Sequence, residues 1–151
     1  MGETSTGKTS IIMRLLQNTF ADTKYTIGAS FFTYDNNNVR YEIWDTAGSE
    51  RFLSLAPMYF RGSHIVIMVY DLNDLILLNR LQYYFNMMET NMSNVPHIII
   101  VGNKLDLINS KELTAIQKTI TQKITQMTKL VISDYLYVSA KDGTNIDDLK
   151  N

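Results

Sequence analysis

Hydrophobic residues fall in two compact runs, 64–70 and 97–102, in which apolar and polar positions do not alternate. A strand that is buried on both faces of a parallel sheet needs apolar side chains on each face, so these runs predict two central strands. A third and shorter run, 135–140, is similar and predicts a further strand.

Between these runs, apolar residues recur at the three- and four-residue spacing of a helix that packs one face against a core. One stripe consists of Leu77, Leu81, Tyr84, Phe85 and Met88, and another of Leu113, Ile116, Ile120, Ile124 and Met127. We interpret both stripes as core-facing, because this is the usual role of an apolar helix face in a small domain.

The region 30–45 has the pattern of a hairpin. Two strand-like segments, 30–34 and 39–45, flank an asparagine cluster at 36–38 that tolerates the positive φ angles of a tight turn. Strands that alternate with helices predict an α/β fold: a mostly parallel sheet with one antiparallel edge strand and helices on both faces. We expect residues 1–151 to form a single domain.

Composition narrows the possible functions. The chain carries a net charge of −1, which gives no reason to expect nucleic acid as a partner. It contains no cysteine, which excludes disulfides, thiolate ligands and a prenylation signal within these residues. Its apolar runs are far shorter than the ~20 residues of a membrane span. We expect a soluble, cytoplasmic monomer.

The start of the chain matches the phosphate-binding pattern GxxxxGK[ST] and leads directly into an amphipathic helix. In this pattern glycines let backbone amides surround a phosphate, the lysine bridges β- and γ-phosphate oxygens, and the hydroxyl of the last residue ligates magnesium. The predicted nucleotide contacts are therefore Gly2, Glu3, Thr4, Ser5, Thr6, Gly7, Lys8, Thr9 and Ser10.

A second motif, Trp44-Asp45-Thr46-Ala47-Gly48, follows the hairpin's second strand. The Asp45 carboxylate can hold magnesium through water, and the Gly48 amide can reach a γ-phosphate. Without the phosphate loop upstream, an ordinary Asp-Thr turn would be the better interpretation.

Two further motifs follow strands and point to the base. Asn103-Lys104-Leu105-Asp106 comes directly after a buried strand, at the edge of the sheet where α/β proteins bind ligands. The Asp106 carboxylate can accept hydrogen bonds from N1 and N2 of guanine, whereas adenine offers no donor at N1. Ser139-Ala140-Lys141 can present a backbone amide to the guanine carbonyl and a lysine stem to the ring. Guanine is therefore the predicted base.

With these motifs in this order, the chain resembles small GTPases of the Ras superfamily, and within them the Rab family, over nearly its whole length. Thr26-Ile27-Gly28 resembles the first switch, and Asp45 to Gly48 with Glu50-Arg51-Phe52 resembles the second. The segment 54–62, with Ala29-Ser30-Phe31, is most similar to the endosomal Rab subgroup.

The resemblance implies a Ras-like phosphate-loop NTPase fold and a switch in vesicle trafficking that binds GTP, GDP and Mg²⁺. It implies catalytic roles for Lys8, Thr26, Gly48 and Ser49, metal contacts from Thr9, Thr26 and Asp45, and stacking of Phe20 on guanine. Effectors would bind the aromatic residues Phe31, Trp44 and Tyr59, although packing within the hairpin is the alternative for these. The family also implies exchange factors, GTPase-activating proteins and endosomal membrane attachment through a prenylated tail that these residues lack.

Two positions depart from the family pattern. Ser49 stands where the family usually has a glutamine that orients the attacking water, so we expect slow intrinsic hydrolysis. Phe20 stands one residue closer to Thr26 than is usual, which predicts a tighter first switch.

The ends of the chain raise a further expectation. The phosphate loop begins at residue 2, so the strand that normally leads into it, and most of the last helix, are expected to lie outside these residues. Three alternatives to a hydrolysing switch remain: an effector-binding module with little turnover, a fragment without independent function, and a phosphate-loop ATPase or nucleotide kinase.

Overall fold

A computed structural model describes residues 1–92 and 94–150, with the side chain of Glu50 outside the description. The strands are β1 (Ala29–Asn36), β2 (Val39–Thr46), β3 (Ile65–Asp71), β4 (His97–Asn103) and β5 (Ile132–Tyr137). The α-helices are α1 (Lys8–Gln17), α2 (Ala56–Phe60), α3 (Leu75–Leu78), α4 (Leu81–Asn91) and α5 (Ser110–Met127). Short 3₁₀ helices cover Glu50–Leu55, Leu105–Leu107 and Ile146–Lys150.

Strands β3, β4 and β5 form a parallel sheet in that order, with Met68 opposite Ile100 and Ile100 opposite Tyr135. The two continuous apolar runs therefore form neighbouring central strands, as predicted. Strand β5 starts earlier than the run 135–140 indicated and ends at Tyr137. The residues that follow it turn back on themselves, with the amide of Ser139 donating to the carbonyl of Thr144 at 3.0 Å.

Strands β1 and β2 form the predicted antiparallel hairpin. Asn36 lies opposite Val39, which leaves a two-residue turn of Asn37 and Asn38. Both turn residues have positive φ, 49° and 63°, a conformation that asparagine tolerates better than most residues do.

Helices cover both faces of the parallel sheet because successive side chains of each strand point to opposite sides. On one face, Met68, Ile98 and Ile100 pack with buried residues of α4 and α5. On the other face, Val69 and Val101 pack with Ile11 of α1 and with the last 3₁₀ helix. The predicted α/β architecture is confirmed.

The stripe that includes Leu77 and Met88 belongs to two helices rather than one. The chain leaves the helical path between α3 and α4, at Asn79 and Arg80. Helix α3 is capped by Asp74, whose side chain accepts hydrogen bonds from two amides of its first turn. The buried residues Leu78, Leu81 and Phe85 still share one core because α4 continues on the same side of the sheet.

Between β2 and β3, the described residues form no backbone ladder that joins the two sheets. Met1 pairs with β3 instead: its terminal amine donates to the carbonyl of Ile67 at 2.5 Å, and its carbonyl accepts from the amide of Val69 at 2.7 Å. This pairing holds the start of the phosphate loop against the parallel sheet. In the part of the chain that the structure describes, no helix has the length and hydrophobicity to cross a bilayer.

Candidate nucleotide-binding site

A cavity of about 960 Å³ lies at the carboxyl edge of the parallel sheet, the edge at which open α/β sheets bind ligands. This volume is at the upper end of the range for small-molecule sites. Fifteen of the predicted site residues line it: Thr4, Ser5, Gly7, Lys8, Thr9, Ser10, Phe20, Thr26, Gly48, Ser49, Asn103, Lys104, Asp106, Ala140 and Lys141.

The phosphate loop turns into α1 at Gly7, which adopts a left-handed φ of 89°. A Cβ at this position would lie 2.2 Å from Asn103 Nδ2, so glycine is needed for the close approach as well as for the backbone angle. Helix α1 begins at the next residue, Lys8, and its N-terminus faces the cavity. Free amides and the helix dipole make this end suitable for an anion.

The Lys8 ammonium lies inside the phosphate loop. Its Nζ donates to the carbonyls of Gly2 at 2.9 Å and Glu3 at 2.8 Å. Burial lowers the pKa of Lys8 to about 8, while the negative charges of Asp45 and Glu3 act in the opposite direction. The loop therefore holds a cation in a poorly hydrated position, where an incoming phosphate would stabilise its charge.

Three oxygen-bearing side chains converge beside Lys8. Thr9 Oγ1 donates to Asp45 Oδ2 at 2.6 Å and lies 3.2 Å from Thr26 Oγ1, which is 3.5 Å from the same carboxylate oxygen. Asp45 is only 2% exposed, yet among the described residues its Oδ1 has no hydrogen-bond partner. A buried carboxylate oxygen without a partner, close to two hydroxyls, fits a hard divalent cation such as Mg²⁺.

The loop after β2 approaches the phosphate loop closely. A Cβ on Gly48 would lie 2.4 Å from backbone atoms of Glu3 and Thr4, so only glycine allows this contact. The next residue, Ser49, is the N-cap of the 3₁₀ helix Glu50–Leu55, and its Oγ accepts from the amide of Arg51 at 3.4 Å. The Ser49 side chain therefore turns toward the backbone that follows it.

Asn103 connects the phosphate loop to the base side of the cavity. Its Nδ2 donates to the carbonyl of Thr6 at 2.8 Å, and its Oδ1 accepts from the amide of Ala140 at 3.1 Å. The side chain is buried, so both bonds form away from water. One amide thus fixes the distance between the two loops.

Asp106 is oriented by the loop that follows β5. Its Oδ1 accepts from the Ser139 hydroxyl at 2.7 Å, and its Oδ2 lies 3.7 Å from Lys141 Nζ. These contacts hold the Asp106 carboxylate at the cavity, where its oxygens can accept hydrogen bonds, which is the requirement for recognising the N1 and N2 hydrogens of guanine.

Lys104 follows β4 in a left-handed conformation, with φ of 66°, and its Nζ lies 2.6 Å from Asp71 Oδ2 at the end of β3. Partial burial acts to raise the pKa of Asp71, but hydrogen bonds from Lys104 and Asn73 outweigh it and hold this pKa below its usual value. Lys104 also lines the cavity, so the ion pair holds a lining residue in place. The sequence motif did not identify Asp71 because the two residues are far apart in the chain.

Of the residues predicted to contact nucleotide or metal or to act in catalysis, five do not line the cavity and support residues that do. Gly2 and Glu3 accept the Lys8 hydrogen bonds, Thr6 donates to the Glu3 carbonyl at 2.9 Å, Asp45 lies below the two threonines, and Ser139 supports Asp106. The cavity also has lining residues that were not predicted as contacts, of which Ile27, Thr46, Arg51 and Phe52 belong to the switch motifs and Ala21, Asp22, Thr23, Lys24, Tyr25 and Leu107 belong to none.

The aromatic residues Phe31, Trp44 and Tyr59 form one cluster of ring contacts. Ring centroids of Phe31 and Trp44 are 5.0 Å apart, and those of Trp44 and Tyr59 are 5.8 Å apart. Trp44 is 52% exposed and Phe31 48%, so the cluster packs within the protein and also presents apolar surface to solvent. Both interpretations of these side chains are therefore compatible with their position.

The fold and the site define a phosphate-loop nucleotide-binding protein. The sequence profile of the Ras family matches residues 1–150. Over 154 aligned residues the chain is 36% identical to a Ras-related protein of Dictyostelium discoideum called Rab-5B, with 99% of this chain and 69% of the relative covered. It is 35% identical to the GTP-binding protein YPT53 of Saccharomyces cerevisiae, with 97% of this chain and 69% of the relative covered. It is 34% identical to the GTP-binding protein ypt5 of Schizosaccharomyces pombe, with 99% of this chain and 71% of the relative covered.

The chain belongs to the Ras family of small GTPases, in the endosomal subgroup of its Rab branch. The resemblance that the phosphate loop and the switch motifs indicated is thereby confirmed for the chain as a whole.

Proposed function

We propose that this chain is a guanine-nucleotide switch in which GTP and GDP occupy the cavity beside the phosphate loop. The observation that carries the proposal is the continuity of the site: a single cavity extends from Lys8 at the phosphate end to Asp106 at the base end. The buried Asn103 side chain holds the two ends together. A nucleoside diphosphate or triphosphate needs both ends at once.

Thr9, Thr26 and Asp45 are the residues that would hold magnesium, which neutralises phosphate charge when bound. The chain's own groups bind and orient the nucleotide around this position. Lys8 contributes a positive charge to the β- and γ-phosphates, and the α1 amides donate hydrogen bonds to their oxygens. Hydrolysis then requires in-line attack of a water on the γ-phosphate, giving GDP and phosphate.

Intrinsic hydrolysis is slow because Ser49 cannot orient that water. A serine side chain places its polar atom two bonds closer to the backbone than glutamine does, and here the Ser49 hydroxyl accepts a hydrogen bond from the amide of Arg51. Positioning of the water therefore falls to solvent or to a partner. An arginine from a GTPase-activating protein would supply roughly 10³- to 10⁵-fold acceleration where such a partner operates.

The biological role that we propose is regulation of vesicle trafficking at endosomal membranes, on the grounds of the names of the Rab5-type relatives. Effectors would bind the aromatic cluster of Phe31, Trp44 and Tyr59, which presents exposed apolar surface. Phe31 and Trp44 stand within a few residues of the two switch loops in the sequence. Reordering of those loops with the γ-phosphate would change this surface between the two nucleotide states.

Equilibrium binding of fluorescent GDP to the purified 151-residue chain tests the proposal. We expect saturable binding that weakens when magnesium is chelated and that GTP displaces but ATP does not. Equal displacement by ATP would contradict guanine recognition. Single-turnover hydrolysis of bound GTP then tests the slow rate, which a glutamine-containing Rab protein assayed in parallel should exceed.

A second candidate function is a nucleotide-dependent effector-binding module with almost no turnover. The capping role of Ser49 favours it. A hydroxyl that caps the 3₁₀ helix is turned toward the Arg51 amide and does not extend to the water that would attack the γ-phosphate. Bound GTP that persists over hours even with a GTPase-activating protein present would favour this module over the hydrolysing switch.

A further inference from the structure

Arg14 joins two parts of the nucleotide site that its sequence position does not connect. It lies in the last turn of α1, the helix that follows the phosphate loop. Its Nε donates to the carbonyl of Ala140 at 3.0 Å, and an Nη donates to the carbonyl of Lys141 at 2.6 Å. Both acceptors belong to the loop that follows β5 and faces the base.

The other Nη atom of Arg14 binds the end of its own helix. It donates to the carbonyl of Asn18 at 2.9 Å and to the side-chain oxygen of Asn18 at 3.1 Å. Asn18 closes α1 in a left-handed conformation, with φ of 53°, and its amide returns a hydrogen bond to the carbonyl of Arg14. The chain then continues to Phe20, which lines the cavity.

The fork of the guanidinium explains why one side chain can make all of these contacts. Arginine has five N–H donors on three nitrogens in a fixed plane, whereas lysine carries its three donors on one nitrogen and cannot span acceptors this far apart as a rigid fork does. The three nitrogens of Arg14 serve three different backbone carbonyls. A simple helix cap would need only the contacts to Asn18.

We propose that Arg14 is a positioning residue that sets how long the nucleotide stays bound and how strictly its base is recognised. It acts through the loop 139–141, not by touching the nucleotide. With the outer side of the loop held by Arg14 and the Ala140 amide held by Asn103, Ser139 stays in place to orient Asp106. The proposal rests on guanine-nucleotide binding by this cavity.

The test compares dissociation of fluorescent GDP from the unchanged 151-residue chain and from Arg14→Gln, Arg14→Lys and Arg40→Gln. Arg40 is the matched control, because it lies on the hairpin and forms an exposed 3.8 Å ion pair with Asp35, a kind of contact that contributes little. Loss of two charge-assisted hydrogen bonds to the loop predicts about 10- to 100-fold faster dissociation for Arg14→Gln. Arg14→Lys should fall in between, and Arg40→Gln should change the rate by less than about twofold.

Two further readouts separate positioning from a merely structural role. Chelation of magnesium should accelerate dissociation by the same factor in Arg14→Gln as in the unchanged chain. The reason is that the hydrogen bonds from Arg14 to the loop 139–141 lie at the base end of the cavity, away from the proposed magnesium position. The preference for GDP over inosine diphosphate, which lacks the N2 amino group, should decrease because Asp106 is less well oriented. A lower melting temperature with unchanged dissociation and preference would overturn the proposal.

Equal dissociation rates for Arg14→Gln and Arg40→Gln would also overturn it. If Arg14→Gln does not fold, Arg14→Lys keeps the charge at the helix end and decides the question by the same comparison of rate and base preference. Absence of GDP binding by the unchanged chain is a different result, since it would overturn the proposed function together with this inference.

Discussion

The Thr9 hydroxyl donates a hydrogen bond to Asp45 Oδ2 at 2.6 Å, and so joins the first turn of α1 to the end of β2. The hairpin and the parallel sheet share no backbone ladder among the described residues, so this side-chain bond is one of the links between them. It also brings both residues to the place where a cation would bind. The residues proposed to hold a metal ion therefore also form one of the links between the two sheets.

Replacement of Asp45 by asparagine should remove the magnesium dependence of nucleotide binding. The neutral amide cannot supply the negative charge that a divalent cation needs, so we expect GDP to dissociate about 10- to 100-fold faster and chelation to have little further effect. Dissociation of fluorescent GDP with and without chelator measures this. Asp148→Asn, which changes an exposed carboxylate, should retain the chelator effect of the unchanged chain. A strong chelator effect that persists in Asp45→Asn would contradict the assignment.

Replacement of Ser49 by glutamine should accelerate GTP hydrolysis. The longer side chain can place an amide next to the attacking water, and improved positioning predicts roughly 10- to 100-fold faster single turnover. Quenched-flow or slower manual sampling of phosphate release would measure the rate. Ser49→Ala is the matched control, because it removes the cap without adding a water-orienting group, and no acceleration is expected. An unchanged rate in Ser49→Gln would mean that residue 49 does not limit hydrolysis.

Replacement of Asp106 by asparagine should change the preferred base. The amide loses one acceptor for the guanine N1 and N2 hydrogens, which predicts roughly 100-fold weaker GDP binding or more. The same amide can donate to the carbonyl that xanthine carries at position 2, so xanthosine diphosphate should compete better than GDP in the variant. Competition titrations against a fluorescent diphosphate provide the measurement. Parallel loss of both ligands would indicate that Asp106 supports the loop without contacting the base.

The lowered pKa of Lys8 predicts a fall in nucleotide affinity at alkaline pH. Well below pH 8 the lysine is charged in both the free and the bound chain, so its protonation does not affect affinity. Above about pH 8 Lys8 loses its proton in the free chain but keeps it in the bound chain, because the phosphate stabilises the ammonium. Nucleotide affinity should therefore fall by up to about tenfold per pH unit. Guanine itself loses a proton at alkaline pH, so the matched variant Lys8→Met isolates the lysine. A pH profile that is identical in the two chains would refute this linkage.

Trp44 should report the nucleotide state. It is the single tryptophan of the chain, it adjoins Asp45, and its half-exposed ring contacts Phe31 and Tyr59. Exchange of GDP for a non-hydrolysable GTP analogue should therefore shift its emission. Tyr59→Phe keeps the ring contact and should preserve the signal, whereas Tyr59→Ala exposes Trp44 and should reduce it. An emission spectrum that is indifferent to the nucleotide would separate this cluster from the switch.

The sequence predicted the elements that depend on local patterns. Strands β3 and β4 are continuous apolar runs because both of their faces are covered. The turn at Asn37 and Asn38 could be predicted because asparagine tolerates the positive φ angles that both residues adopt. The cavity lining from the phosphate loop to Asp106 also follows from short motifs at strand ends. Each of these signals lies within a few consecutive residues.

What the sequence did not predict depends on contacts between distant residues or on loops without periodicity. Arg14 is separated from Lys141 by 127 positions, so spacing gives no sign of their hydrogen bond. The residues 21–25 line the cavity, but a switch loop has no apolar repeat that would mark its inner face. The break between α3 and α4 was not predicted because the apolar stripe continues across it.

The buried side chain of Asn103 has a consequence for how this protein can evolve. Because one amide contacts both the Thr6 carbonyl and the Ala140 amide, a backbone shift in either loop must remain compatible with the other. Mutations that adjust phosphate binding and mutations that adjust base choice are therefore expected to be epistatic, although the two loops are far apart in sequence. Substitutions that shift one of the two loops should therefore be tolerated only when the other loop shifts in a compatible way.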